Sequence, residues 1–178
     1  MATPTAEELQ EEGLRLFHEG LYDEAARRFS EALEHFSEEG REVEAGEMLN
    51  NIGVIRRKQS RWEEALEALQ EAHRIFLRLE DLSRQAQALG NMAGIYASLK
   101  EQDKAIESWR MAQAIFAELG DHQKQGETLM AIGLSLFKSN QRQAGLAAYQ
   151  AGLEMLEKPT LMQKFSRTLM TLQARLLG

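Results

Sequence analysis

Moving along this chain by forty residues returns the same skeleton. Leu9, Leu49, Leu89 and Leu129 share one slot, Gly13, Gly53, Ala93 and Gly133 a second, and Ala25, Ala65, Ala105 and Gly145 a third. Ala32, Ala72, Ala112 and Gly152 occupy a fourth small slot, whereas Phe29, Leu69, Trp109 and Tyr149 are all large, as are Phe36, Phe76, Phe116 and Leu156. Gly and Ala make up roughly one residue in five, so a small residue at every one of these small slots requires a period imposed by packing. Helices approach closely only where side chains nearly vanish, and bulky residues at fixed offsets then fill the adjoining gaps. The expected fold is therefore all-α, an array of four packed helical hairpins.

Taken in order, Thr5 followed by Glu8 has the spacing of a capping box and opens a helix from about Ala6 to Glu19. Gly20 breaks it. A second helix from Tyr22 to about Glu38 places Ala25, Phe29, Ala32 and Phe36 on one face, and Gly40 ends it. The second unit turns at Gln59-Ser60-Arg61, the third near Lys100-Glu101-Gln102 and the fourth at Ser139-Asn140-Gln141. Asp81 and Asp121 stand where a carboxylate can cap the following helix. The units run over about 6–40, 41–80, 81–120 and 121–158, in a single domain of 178 residues. Glu12 fills the slot of Ile52, Met92 and Ile132, as expected of an end unit with one face in water.

Pro159 stops the fourth unit, and Thr160 with Gln163 opens a ninth helix over 160–177. Leu169 and Leu172 lie forty residues beyond Leu129 and Ile132, so this helix is expected to continue the register and cap the fourth unit. Its apolar face is Met162, Phe165, Leu169, Leu172 and Leu176, and Leu161, Met170 and Leu177 widen it beyond what one neighbour covers. Homo-oligomerisation through residues 161–177 is accordingly the alternative to simple capping.

Charge and composition exclude several classes. A net charge of −7 with no concentrated basic face argues against nucleic acid as a partner. No apolar run approaches the length of a spanning helix, and Met1 to Gln10 has neither a basic start nor an apolar core, so a membrane partner and export are not expected and the default location is the cytoplasm. With no Cys, disulfides and thiolate chemistry are absent. Metalloprotease, phosphate-loop and nucleophile-elbow motifs are missing too. His18, His35, His73 and His122 are scattered, and His35 shares the slot of Ile75, Ile115 and Met155, which places it in the interior. No catalytic residue, metal or cofactor is expected.

The skeleton resembles the tetratricopeptide repeats. The residues that carry the likeness are Ile52-Gly53, Met92-Ala93 with Tyr96, Ile132-Gly133, and Ala105, Trp109 and Ala112. Arg56 departs from the aromatic slot, and Gly145 and Gly152 stand where Ala is usual. The forty-residue period is similar to the extended variety in Pins-type adaptors, kinesin light chains and bacterial regulators. The resemblance implies a right-handed α-solenoid of four hairpins plus a C-terminal capping helix, nine helices in all. It also implies a non-enzymatic adaptor or scaffold that holds a peptide or helical segment of a partner protein along the first helices.

First-helix positions turned away from the Leu and Gly stripe are Gln10, Glu11, Leu14, Phe17 and His18 in the first unit. The second offers Glu47, Asn50, Asn51, Val54, Arg57 and Lys58, and the third Gln87, Gly90, Asn91, Gly94, Ala97 and Ser98. Glu127, Met130, Ala131, Leu134, Phe137 and Lys138 follow in the fourth. Asn51 and Asn91, one repeat apart, could each bond both an N–H and a C=O of an extended peptide, an arrangement that resembles the asparagine ladder of kinesin light chains. Val54, Met130, Leu134 and Phe137 would supply apolar pockets, and Arg57, Lys58 and Lys138 would meet acidic groups. A carboxylate clamp like that of heat-shock co-chaperones is not expected, because Gln10, Glu11, Gln87 and Asn91 stand where cations are needed. Gly90 and Gly94 each cost roughly 1 kcal/mol inside a helix, which close approach of a ligand or of a neighbouring hairpin would explain. A small-ligand sensor is the remaining alternative.

Overall fold

The computed structural model describes residues 4–177, apart from the side chain of Leu177, so the expectation for that side chain lies outside the described residues. Among the described residues there are nine helices and no strand. They are α1 (Ala6–His18), α2 (Tyr22–Glu38), α3 (Glu42–Lys58), α4 (Trp62–Arg78), α5 (Leu82–Ser98), α6 (Gln102–Glu118), α7 (His122–Lys138), α8 (Arg142–Glu154) and α9 (Leu161–Leu177). The chain divides into two compact units, one up to Ile95 and one from Tyr96 onward.

A turn residue recurs every twenty positions. Gly20, Gly40, Ser60, Glu80, Lys100, Gly120 and Asn140 all have positive φ, between 56° and 79°. At each turn the next amide reaches back five residues: Leu21 donates to the Leu16 carbonyl at 2.9 Å, Arg41 to Phe36 at 2.8 Å and Gln141 to Leu136 at 2.9 Å. This left-handed C-terminal turn satisfies carbonyls that the helix end would otherwise leave open. The following helix starts at once, which fixes the spacing between helices. Thr5 and Glu8 form the capping box at α1, and the Lys124 amide donates to Asp121 Oδ1 at 2.9 Å at α7. Thr160 and Gln163 cap each other's amides at α9.

In the first unit, the small slots receive the large ones. A Cβ built on Gly13 would lie 2.7 Å from the Phe29 ring, one on Gly53 2.6 Å from Leu69, and one on Gly46 2.8 Å from Phe76. Leu9, Phe29, Phe36, Met48 and Ile55 form one buried cluster, and Ala72, Phe76 and Ala88 another between α4 and α5. Phe29 and Phe36 are wholly enclosed, so truncating either to Ala should cost about 3–5 kcal/mol.

The fourth hairpin, within the second unit, is closer still. A Cβ on Gly133 would lie 2.6 Å from the Tyr149 amide nitrogen, and one on Gly145 2.6 Å from the Gly133 carbonyl. Gly152 similarly abuts the Gly126 carbonyl. Glycine where the repeat usually carries alanine therefore brings the α7 and α8 backbones into direct contact. Ile106, Ile132 and Leu136 pack beside this crossing, with Trp109 half-buried against them.

α9 caps α8, but not in the expected orientation. Met170 and Ala174 are each 4% exposed, and Met170 joins Met130, Tyr149, Leu153 and Leu156 in one cluster. The Tyr149 hydroxyl donates to the Gln163 carbonyl at 3.2 Å. Met162, Phe165, Leu169, Leu172 and Leu176, expected to face inward, are all exposed. The helix is thus turned over relative to the repeat register. The residue expected to lie at the margin of its apolar face is the one that packs.

Candidate functional site

Within the first unit, the N-terminal helices of successive hairpins, α1, α3 and α5, present a shared polar surface. Gln10 and Leu14 of α1, Glu47, Asn50 and Asn51 of α3, and Ser83, Arg84 and Gln87 of α5 line a cavity of about 420 Å³. These positions share a helix face because they recur at offsets of three, four and seven residues.

Its floor is pinned by charge. Arg84 Nε donates to Glu47 Oε1 at 2.6 Å, and Arg84 Nη1 to Asp81 Oδ2 at 2.7 Å, while the Arg84 amide donates to Asp81 Oδ1 at 3.0 Å. Burial pushes the Asp81 carboxyl up, but the amide and guanidinium of Arg84 outweigh it and hold the group below the ordinary carboxylate range. Burial likewise opposes the Arg84 charge, and Asp81 and Glu47 overcome it. The cavity presents carboxamides and a hydroxyl beside an internally paired ion cluster. Such a set offers both donors and acceptors of hydrogen bonds.

A smaller cavity of about 130 Å³ adjoins it, lined by Leu14, Phe17, His18, Phe29, Asn51 and Val54. Leu14 and Asn51 belong to both. Phe17 is held against Tyr22 with ring centroids 5.7 Å apart, so the apolar wall is fixed. One polar recess and one apolar recess thus meet at Asn51.

The expected ladder is arranged differently. Asn91 Nδ2 donates to Asn50 Oδ1 at 3.0 Å, so Asn91 is tied across to α3, and Asn51 is the carboxamide at the junction of the recesses. A Cβ built on Gly94 would lie 2.5 Å from Arg57 Nη1, whereas one on Gly90 would meet nothing within 4 Å. Gly94 therefore makes room for Arg57, and neighbouring hairpins do not account for Gly90. Lys58 is exposed.

In the second unit, Leu134 and Lys138 are exposed as expected. Met130 is not available to a partner. It is 7% exposed, because Gly152 lets α8 close over it and Met170 seals it. Phe137 is half-buried against the same cluster and folds back onto its own hairpin. Ser83 and Arg84 were not among the expected site residues. The signal for Arg84 was its place three residues after Asp81 on the first turn of α5. His35 is half-buried. Among the described residues no three His, Asp or Glu side chains come together to hold a metal ion.

The family described as tetratricopeptide repeat matches residues 12–78. No curated protein sequence matches the chain. Solved structures similar to it include BtubC (BKLC) from P. vanneervenii, with a TM-score of 0.78 at 21% identity over 87% of this chain and 67% of that one. The apo form of RapI has a TM-score of 0.85 at 18% identity over 98% of this chain and 48% of that chain. Aspartyl phosphate phosphatase F from Bacillus subtilis has a TM-score of 0.77 at 18% identity over 85% and 40% respectively. The chain spans about two thirds of the first and less than half of the other two, and at these identities the likeness is one of fold. Residues 12–78 match the tetratricopeptide repeat family, and the chain as a whole is similar in fold to these solved structures.

Proposed function

We propose that this protein is a non-enzymatic adaptor that holds an extended peptide or helical segment of a partner protein on the surface of α1, α3 and α5. The observation that carries this reading is the pair of recesses meeting at Asn51. A carboxamide there can bond the main chain of an extended segment whatever its sequence, while the Leu14, Phe17 and Val54 recess takes one apolar side chain and so confers selectivity. The larger recess has the volume of a small-molecule site, but such sites are mostly apolar, and polar side chains line most of this one, with Leu14 and Phe76 its apolar members. That lining favours a peptide over a small ligand.

The test is affinity capture by the wild type against an Asn51→Ala, Gln87→Ala double variant of equal helicity by circular dichroism. Loss of a captured protein by the variant supports the reading, and an identical set of captured proteins rejects it.

A further inference from the structure

The first unit is rich in carboxylates, and among its described residues every arginine except Arg57 has one within ion-pair distance. Arg56, its neighbour in sequence, is turned toward α4, where it meets Glu64 at 3.6 Å. Arg57 is turned the other way, onto the surface of α1, α3 and α5. There its Nη1 lies 2.5 Å from where a Cβ on Gly94 would stand.

That is a costly place for a cation left alone. Arg57 is half-buried, so its guanidinium has lost part of its hydration, and no carboxylate of the first unit offsets the loss. Gly94 weakens α5 relative to alanine, and the space it frees is filled by this guanidinium. Arg84, by contrast, is held by Glu47 and Asp81 and is not available to a partner.

The surroundings of Arg57 define what it can meet. On one flank of α3, toward α1, lies the recess lined by Leu14, Phe17 and Val54. On the other flank is Gly94, forty residues after Val54 and therefore at the same height on α5, with the guanidinium over it. Neighbouring helices are spaced on the order of 10 Å, and two residues of extended chain advance about 7 Å with both side chains on one face. The reach of an Asp or Glu side chain covers the remainder.

We propose that Arg57 is a specificity-determining residue of this surface. Through two parallel hydrogen bonds it binds the carboxylate of an Asp or Glu standing two residues from the apolar side chain seated between Leu14, Phe17 and Val54. The inference rests on the adaptor reading above and adds to it the charge and spacing of the bound segment.

The experiment pans the full chain against a phage-displayed library of random twelve-residue peptides, in parallel with Arg57→Gln and the charge reversal Arg57→Glu. Equal melting temperatures confirm that the variants fold. The wild type should enrich peptides with Asp or Glu two residues from Leu, Ile, Met or Phe. Arg57→Gln should enrich the apolar residue without the acid, and Arg57→Glu should prefer Lys or Arg in its place. In the strongest synthetic peptide, replacing the acid by its amide should weaken binding to the wild type about tenfold, and binding to Arg57→Gln by less than about twofold, the coupling of a direct contact. Enrichment without an acidic preference, or a preference that Arg57→Gln keeps, overturns this inference and leaves the adaptor reading standing. No enrichment by the wild type overturns it together with the extended-peptide reading, and a wild-type dimer that Arg57→Gln then dissolves would assign the carboxylate to a second copy.

Discussion

The guanidinium of Arg57 lies over Gly94, with Nη1 2.5 Å from where a Cβ would stand. One helical turn earlier, Gly90 looks into open space. Two glycines on one face of α5 thus have different reasons, and substitution separates them. Gly90→Ala should stabilise the protein by about 1 kcal/mol, the helix-propensity difference. Gly94→Ala gains the same propensity but displaces Arg57, so its net change should be smaller. Denaturant titration of both variants checks the order. If Gly90→Ala also weakens partner capture, the open space over Gly90 is where the ligand backbone runs.

The fourth hairpin makes the opposite prediction for glycine. At Gly133 and Gly145 the obstructing atoms are backbone of the facing helix, which cannot rotate aside. Gly133→Ala and Gly145→Ala should each destabilise by about 1–3 kcal/mol despite better helix propensity. Thermal unfolding measures this.

Four of the seven turns place a side chain in left-handed backbone, at Ser60, Glu80, Lys100 and Asn140. Local sterics disfavour a side chain in this region, and glycine escapes that cost. Glu80→Gly and Lys100→Gly should stabilise by about 0.5–1 kcal/mol each, and Asn140→Gly by less, because Asn tolerates this region. Midpoints of urea unfolding provide the comparison.

His73 supplies a pH dependence. Its Nε2 is buried without a hydrogen-bond partner, and burial pushes its imidazole below the ordinary value of about 6.5. The unfolded chain therefore takes up a proton at a higher pH than the folded one. The contribution of His73 is fully present above pH about 6.5 and is lost as pH falls below it. His73→Leu, which restores the residue type found one repeat earlier at Leu33, should flatten this part of the profile. Melting temperatures of wild type and variant between pH 5 and 8 test it, and parallel curves would contradict it.

Much of the fold was legible because its determinants are local. Gly20, Gly40 and Gly120 mark turns, Thr5 with Glu8 and Thr160 with Gln163 mark helix starts, and the small and large slots specify which faces meet. The orientation of α9 was not legible. Repeat register places Leu169 and Leu172 inward, but α8 ends at Glu154, a turn shorter than the second helices of the other hairpins, and Tyr149, Leu153 and Leu156 receive Met170. Met130 was misplaced for a related reason: helical geometry puts it on the groove face, and only the glycine contact at Gly152 shows that α8 covers it. Asn50, Asn51 and Gln87 followed from periodicity, whereas the Asn50–Asn91 bond depends on how adjacent helices are offset, which no single repeat encodes.

The most direct test of the central claim places a photoactivatable cross-linker at Gln87, on the proposed surface, and at Glu34, an exposed position on α2. Irradiation in a lysate of the native cell should yield a covalent adduct with one partner protein from position 87 and none from position 34. An adduct from position 34 alone would contradict the account.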